Sequence, residues 1–198
     1  MHGESLVVPS VKRKKYSSYK GEHSPEIENL PKRGFHAGNP NEKWLSDITE
    51  SRIPVGKVYL SLIVDCFGGY VTSWTRGPSP NAEMANSILD EVVGECPLVH
   101  TDCGCHYRWS GWIERMDNAG LVRSMSKKGC SPDNSACEGF FGRLKNGMFS
   151  IRSWFGVSIE EFCALLDDYI YRYHEKRIKL SLGGKSPLRY RRSFGLAS

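Results

Sequence analysis

Residues 44–76, WLSDITESRIPVGKVYLSLIVDCFGGYVTSWTR, decide how this chain is read. Within them WLSDITES, KVYLSLIVD and GYVTSWTR are rich in β-branched and aromatic residues, with turn signals between them at IPVGK and DCFGG. Such side chains suit a pleated, half-buried surface, and the Pro and Gly between them reverse the chain. Three antiparallel strands are predicted.

Outward from this meander, NAEMANSILDEVVGE places Met84, Ala85, Ile88, Leu89, Val92 and Val93 at helical spacing, so an amphipathic helix begins near Asn81. PLVHTD then reads as a short buried strand, residues 107–119 as a helix ended by Gly120, and LVRSM as a fifth strand. Ser131 is an N-cap with Pro132 at the first helical position and Asp133 in the first turn, which predicts a helix to about Phe149. Its buried stripe is Cys137, Phe141, Leu144 and Met148, and Asn134, Glu138 and Lys145 share its edge. A last helix over 158–176 lines up Ile159, Phe162, Leu165, Leu166, Tyr169, Ile170 and Tyr173. The order βββαβαβα predicts an α/β protein with a mixed five-stranded sheet flanked by helices, the ribonuclease H-like arrangement.

At 198 residues the chain can bury a core without staples. Its organisation is predicted as a basic N-terminal arm or linker over 1–40, a catalytic core over 41–155, and a C-terminal helix and basic tail over 156–198 packed on that core. Pro9, Pro25, Pro31 and Pro40 break any long helix in the arm, and Lys12, Arg13, Lys14 and Lys15 suit it to a DNA backbone. No long apolar run or leader-like segment stands out, so neither a membrane partner nor a secretory route is expected, and a bacterial cytoplasm is. The seven cysteines are scattered and odd in number, which fits reduced thiols rather than a disulfide framework; Cys103, Cys105 and His106 lack a fourth zinc ligand at recognisable spacing.

The net charge of +5 hides a partition. Residues 121–155 carry six Lys/Arg against two acids and 171–198 carry eight against one, whereas 41–120 hold six against eleven. A carboxylate-bearing body with a basic rim fits this pattern, because Lys and Arg attract phosphates while divalent cations require anionic oxygen ligands.

Three acids are candidates for those ligands. Asp47 sits among strand residues, Asp102 ends a strand at a change of chain direction, and Glu138 lies on the edge of its helix, with 35 residues between it and Asp102. Mg²⁺, with Mn²⁺ as a substitute and two ions in all, would suit such a trio in phosphoryl transfer. Asp65, before CFGG, reads mainly as a turn residue, and His100 and His106 either orient a ligand or are plain strand and loop histidines.

SDIT with Asp47, HTDCGCHY with Asp102, and SMSKKGCSPDNSACEGFFGRLK with Glu138 resemble the DDE integrase core of bacterial insertion-sequence transposases of the orfB type, related to retroviral integrases. YIYRYHEKRIKLSLGGKSPLRY is similar to that family's C-terminal segment. The resemblance implies divalent-metal DNA cleavage and strand transfer on transposon ends and target DNA, by a homo-oligomer assembled on DNA. It also implies Asp47, Asp102 and Glu138 as catalytic and metal-binding residues, with Lys145, Lys127, Lys128 and Arg143 contacting DNA and Asn134 and His106 in support. Family members usually carry a helix-turn-helix segment ahead of the core; this chain starts too late to include one, so a separate helix-turn-helix transposase subunit is a further expected partner. Tyr171 stands where the family commonly has Trp, and Cys103 where it more often has a polar or basic residue. Two other readings share part of the sequence signal: a truncated, non-catalytic product that binds DNA or a transposase, and an RNase H-type nuclease.

Overall fold

The computed structural model of the chain describes residues 27–31, 34–92, 98–126 and 135–196. The meander forms as β1 (Lys43–Ile53), β2 (Gly56–Asp65) and β3 (Tyr70–Gly77), followed by α1 (Ala82–Asp90) and β4 (Leu98–Thr101). Then come a 3₁₀ turn (Cys105–Arg108), α2 (Ser110–Asn118), β5 (Val122–Met125), α3 (Ser135–Leu144), a π-helical turn (Lys145–Phe149), α4 (Ile159–Lys176) and the short α5 (Pro187–Arg192). The sheet order is β3-β2-β1-β4-β5, antiparallel through the meander and parallel from β1 to β4 and β5. This is the predicted five-stranded mixed sheet.

Alternation along the strands divides the core in two. Leu45, Val58, Leu60, Leu62 and Val64 face one side, where they meet Phe140 and Phe141 of α3 and Phe162, Leu166 and Ile170 of α4. Trp44 and Ile63 face the other, against Ala85, Ile88 and Leu89 of α1 and Trp112 and Met116 of α2. Every member of the stripe expected on α3, from Cys137 to Met148, is buried. In α4 the fully buried row is Phe162, Leu166, Ile170 and Tyr173, with Ile159, Leu165 and Tyr169 partly buried beside it. A capping box between Ser158 and Glu161 starts that helix.

Two expectations are corrected. The single helix over 107–119 is broken at Trp109, whose extended backbone (φ −73°, ψ 148°) separates the 3₁₀ turn from α2. Tyr107 and Trp112 are both buried in the second core with ring centroids 4.9 Å apart. In one continuous helix they would point about 140° apart, so the break is what lets both rings insert. Asp65 does make a turn contact, accepting from Phe67 N–H at 3.0 Å, but it is also fully buried, accepts from Asn41 N–H at 3.2 Å and pairs with the Arg191 guanidinium of α5. Burial raises its carboxyl above the usual range against those donors.

Residues 27–31 run beside β5: Leu30 N–H donates to Ser124 Oγ at 3.0 Å, that hydroxyl reaches Glu28 O at 3.0 Å, and Ile27 packs into the second core. The Lys12–Lys15 run lies outside the described residues.

Candidate active site

Strand register brings the first two acids together. In the parallel pair β1/β4, Ser46 stands opposite Thr101, the last residue of β4. Asp47 and Asp102 are the next residues on neighbouring strands, at the point where β4 leaves the sheet. Both line one open cavity of about 310 Å³, together with Ile48, Glu50, Tyr59, Pro80 and residues 104–107.

Asp47 lies on the alternation phase of Leu45, the α3 side of the sheet, and is half-buried. Its carboxyl is pushed up to about 7, first by burial and then by the negative charge of Asp102, with Glu138 adding to the rise; Ile48 N–H, at 2.8 Å from Oδ1, and Lys145 oppose it. Beneath it, buried Ser46 Oγ lies 3.3 Å from the Tyr107 hydroxyl, which ties β1 to the 3₁₀ turn.

Asp102 is exposed, and its Oδ1 accepts from Gly104 N–H at 2.8 Å. A Cβ on Gly104 would come within 2.7 Å of that same oxygen. The small residue is thus what allows the carboxylate to lie over the backbone. In the sequence Gly104 has one signal, the Asp-x-Gly spacing of an Asx-type turn within HTDCGCHY.

Glu138 occupies the first turn of α3 and is exposed. It is felt at Asp47 electrostatically but does not line the cavity that Asp47 and Asp102 share. Among the described residues no three His, Cys, Asp or Glu side chains are already drawn into an ion-holding cluster. Lys145, at the start of the π turn and also exposed, is near enough to lower the Asp47 carboxyl. Arg143 lies elsewhere, lining a cavity on the α4 side of α3. Lys127, Lys128 and Asn134 fall outside the described residues.

The two candidate histidines separate. His100 is buried in β4 with Nδ1 2.9 Å from Ser124 Oγ and Nε2 3.0 Å from Ser126 Oγ, so it joins β4 to the end of β5. His106 lines the cavity, edge-on to Trp109 at 4.7 Å. Burial lowers its imidazole below the usual range, against the pull of Asp102. Cys66 and Cys137 are buried free thiols, with burial pushing Cys66 up to about 12, while Cys103 and Cys105 are exposed.

Residues 37–131 match the family described as "Integrase core domain", and residues 138–193 match a second family of the same description. The chain is 53% identical, over its whole length, to a probable transposase for insertion sequence element IS1353 of Shigella flexneri. It spans 40% of that relative. It is 38% identical to a transposase-like protein of Haemophilus influenzae, over 91% of the chain and 84% of that relative. The HTLV-2 integrase catalytic core domain, in a structure with magnesium, superposes with a TM-score of 0.57 at 17% identity, over 76% of this chain and 96% of that one. A simian T-cell lymphotropic virus intasome structure gives 0.62 at 20% identity, over 81% and 56%. With the sheet order above, these likenesses establish the ribonuclease H-like core. No helix among the described residues is long and apolar enough to cross a membrane. By sequence, fold and strand order together, the chain belongs to the integrase core family of bacterial insertion-sequence transposases.

Proposed function

We propose that this chain is the catalytic domain of a transposase, cutting and joining DNA with Asp47, Asp102 and Glu138 as its metal-binding carboxylates. The observation that supports this most directly is the side-by-side placement of Asp47 and Asp102 on parallel strands at the mouth of one cavity, with the Glu138 charge reaching Asp47.

The residues fit Mg²⁺, with Mn²⁺ as a substitute. The donors are hard carboxylate oxygens, and the Asp47 carboxyl, raised to about 7 first by burial and then by the charges of Asp102 and Glu138, is relieved by a cation. Two ions would be held, Asp47 and Asp102 providing the preformed part and Glu138 completing it by side-chain rotation. When bound they would polarise the scissile phosphodiester and the attacking hydroxyl.

The chain's own groups do the rest. Gly104 N–H orients Asp102, the Ser46–Tyr107 contact holds β1 in place behind Asp47, and Lys145 holds a non-bridging phosphate oxygen beside the carboxylates. Lys127 and Lys128 would grip the flanking backbone, Asn134 would support the start of α3, and His106 would border the cavity mouth. DNA ends and target are the substrates, in the bacterial cytoplasm, and a homo-oligomer on DNA is the working form, with a helix-turn-helix subunit as a partner in recognition.

Magnesium-dependent joining of pre-cleaved element ends tests the reading. Glu138→Gln should lower joining on the order of a thousandfold or more, since several kcal/mol of charge stabilisation is lost, while duplex binding in EDTA persists. Undiminished joining by that variant would overturn the assignment. A pure DNA binder would give no joined product from the parent chain, and an RNase H-type nuclease would prefer an RNA/DNA hybrid.

A further inference from the structure

A second cavity, larger than the carboxylate one, lies on the other side of α3. About 670 Å³ opens between the end of α3 with its π turn, the loop that follows, and the outer side of α4. Five cations converge on it: Arg143 from α3, Arg152 from the loop, and Arg172, Lys176 and Arg177 from α4 and its end. The single acid in the lining, Asp168, is bonded to Arg172 at 2.9 Å. Among the described residues the other four form no ion pair with a carboxylate. Arg143 is half-buried, and its Nε is enclosed without a hydrogen-bond partner among the described residues. The rest of that guanidinium is bonded to the Tyr173 hydroxyl, and Arg152, Arg172, Lys176 and Arg177 are exposed, so it is the crowding of like charges around one cleft that favours a bound anion.

We propose that this cleft holds the phosphate backbone of a DNA segment other than the one reacting at Asp47 and Asp102. The geometry of α3 separates the two. Seven residues from Glu138, Lys145 returns to nearly the same side of the helix, whereas Arg143, five residues on, points about 140° away, toward α4. One helix therefore shows a phosphate-seeking residue to the carboxylates on one side and another to the cleft behind.

A linear polyanion fits better than a lone anion. Arg172 and Lys176 are one turn apart and exposed, which spreads their charge over about 6 Å of the α4 axis. A DNA strand presents one phosphate per about 3.4 Å of duplex axis, so that row can meet successive phosphates. Arg152, held over the Trp154 ring at 5.7 Å, closes the opposite wall. The field is strong enough to be felt nearby: Lys179 is lowered to about 8, first by burial and then by Arg143 and Arg177. The choice of DNA over another polyanion rests on the transposase reading; the existence of the cationic cleft does not.

The test is duplex binding by the whole chain in EDTA, measured by fluorescence anisotropy over a series of salt concentrations, in the Glu138→Gln background so that no metal or turnover contributes. Lys176→Glu with Arg177→Glu, both exposed, should weaken duplex binding at least about tenfold and lower the salt slope by about two phosphate contacts. Lys176→Gln with Arg177→Gln should give a smaller loss in the same direction, with unchanged melting temperature excluding misfolding. Lys145→Glu, on the other side of α3, should add to these effects in log affinity rather than overlap with them. Unchanged affinity and slope in the charge-reversed variant would overturn the proposal, as would saturable binding of inorganic pyrophosphate at the cleft with no change in duplex affinity. Loss of joining in Glu138→Gln alongside unchanged duplex binding in the cleft variants would sink the cleft alone and leave the catalytic reading standing.

Discussion

Gly104 decides how Asp102 can be used. Its backbone torsions (φ −59°, ψ 145°) are open to any residue, so an alanine there is not strained by the chain itself. The obstacle is the carboxylate, 2.7 Å from where the methyl would sit. Gly104→Ala should therefore leave the melting temperature of the metal-free protein nearly unchanged yet raise the Mg²⁺ concentration for half-maximal joining by about 10- to 100-fold, the usual cost of disturbing the partner of a metal ligand. An unchanged magnesium midpoint would remove Gly104 from its positioning role. At this scale the sequence was most legible where spacing and context carried the signal: Asp47 stands out because an acid among strand residues has no propensity reason to be there, and Asp102 because it ends a strand at a change of chain direction. Asp65 was not, because a residue before Cys-Phe-Gly-Gly looks the same whether it merely turns the chain or also receives an arginine from 126 residues away. Local sequence holds no trace of that partner.

The elements were legible wherever hydrophobic period was long and uniform. The meander, α1, the stripe of α3 and the whole of α4 follow from alternation or from a three-to-four repeat. The region 105–118 was not, since the need to bury both Tyr107 and Trp112 is a tertiary demand that overrides a helical reading of the residues between them. A second tertiary demand fixes α4 to β3. His174 is buried, stacks on Tyr70 with centroids 4.0 Å apart and accepts from Val71 N–H through Nε2 at 3.2 Å. That acceptor role requires the neutral ring, and burial, with Arg191 adding repulsion, lowers the imidazole to about 4. The unfolded chain takes up this proton near pH 6.5 and the folded chain only near pH 4, so stability is full above 6.5 and falls as pH drops between those values. From pH 7.5 to pH 5 the His174 contribution should fall by about 2 kcal/mol. The raised carboxyls of Asp47 and Asp65 act in the opposite direction over this range, so urea unfolding at the two pH values should show the parent protein losing about 2 kcal/mol relative to His174→Gln, which keeps an acceptor for Val71 N–H. An equal pH response in both would mean that His174 is charged in the fold.

For the whole molecule, the placement of the acids follows from topology. β1 pairs in parallel with β4 only as far as Ser46 and Thr101, where β4 ends while β1 runs on to Ile53, and α3, which carries Glu138 in its first turn, packs through Cys137, Phe140 and Phe141 on the sheet face that Asp47 shares. Sequence could suggest this only through the order of elements; the register of Ser46 with Thr101 is a fact of the fold. Of the cleft behind α3 only Arg143 stood out as a DNA contact, because Arg143, Arg152 and Arg172 come from three segments that no short motif links. The central claim is that Asp47 and Asp102, with Glu138 joining them, form one cation site. Anomalous diffraction from crystals of the chain soaked in Mn²⁺ tests it most directly. The account predicts an ion peak ligated by both Asp47 and Asp102 at about 2.1 Å, with Glu138 turned toward it; saturating Mn²⁺ that leaves the space between those two aspartates without a peak, or binds only on another surface, would contradict it.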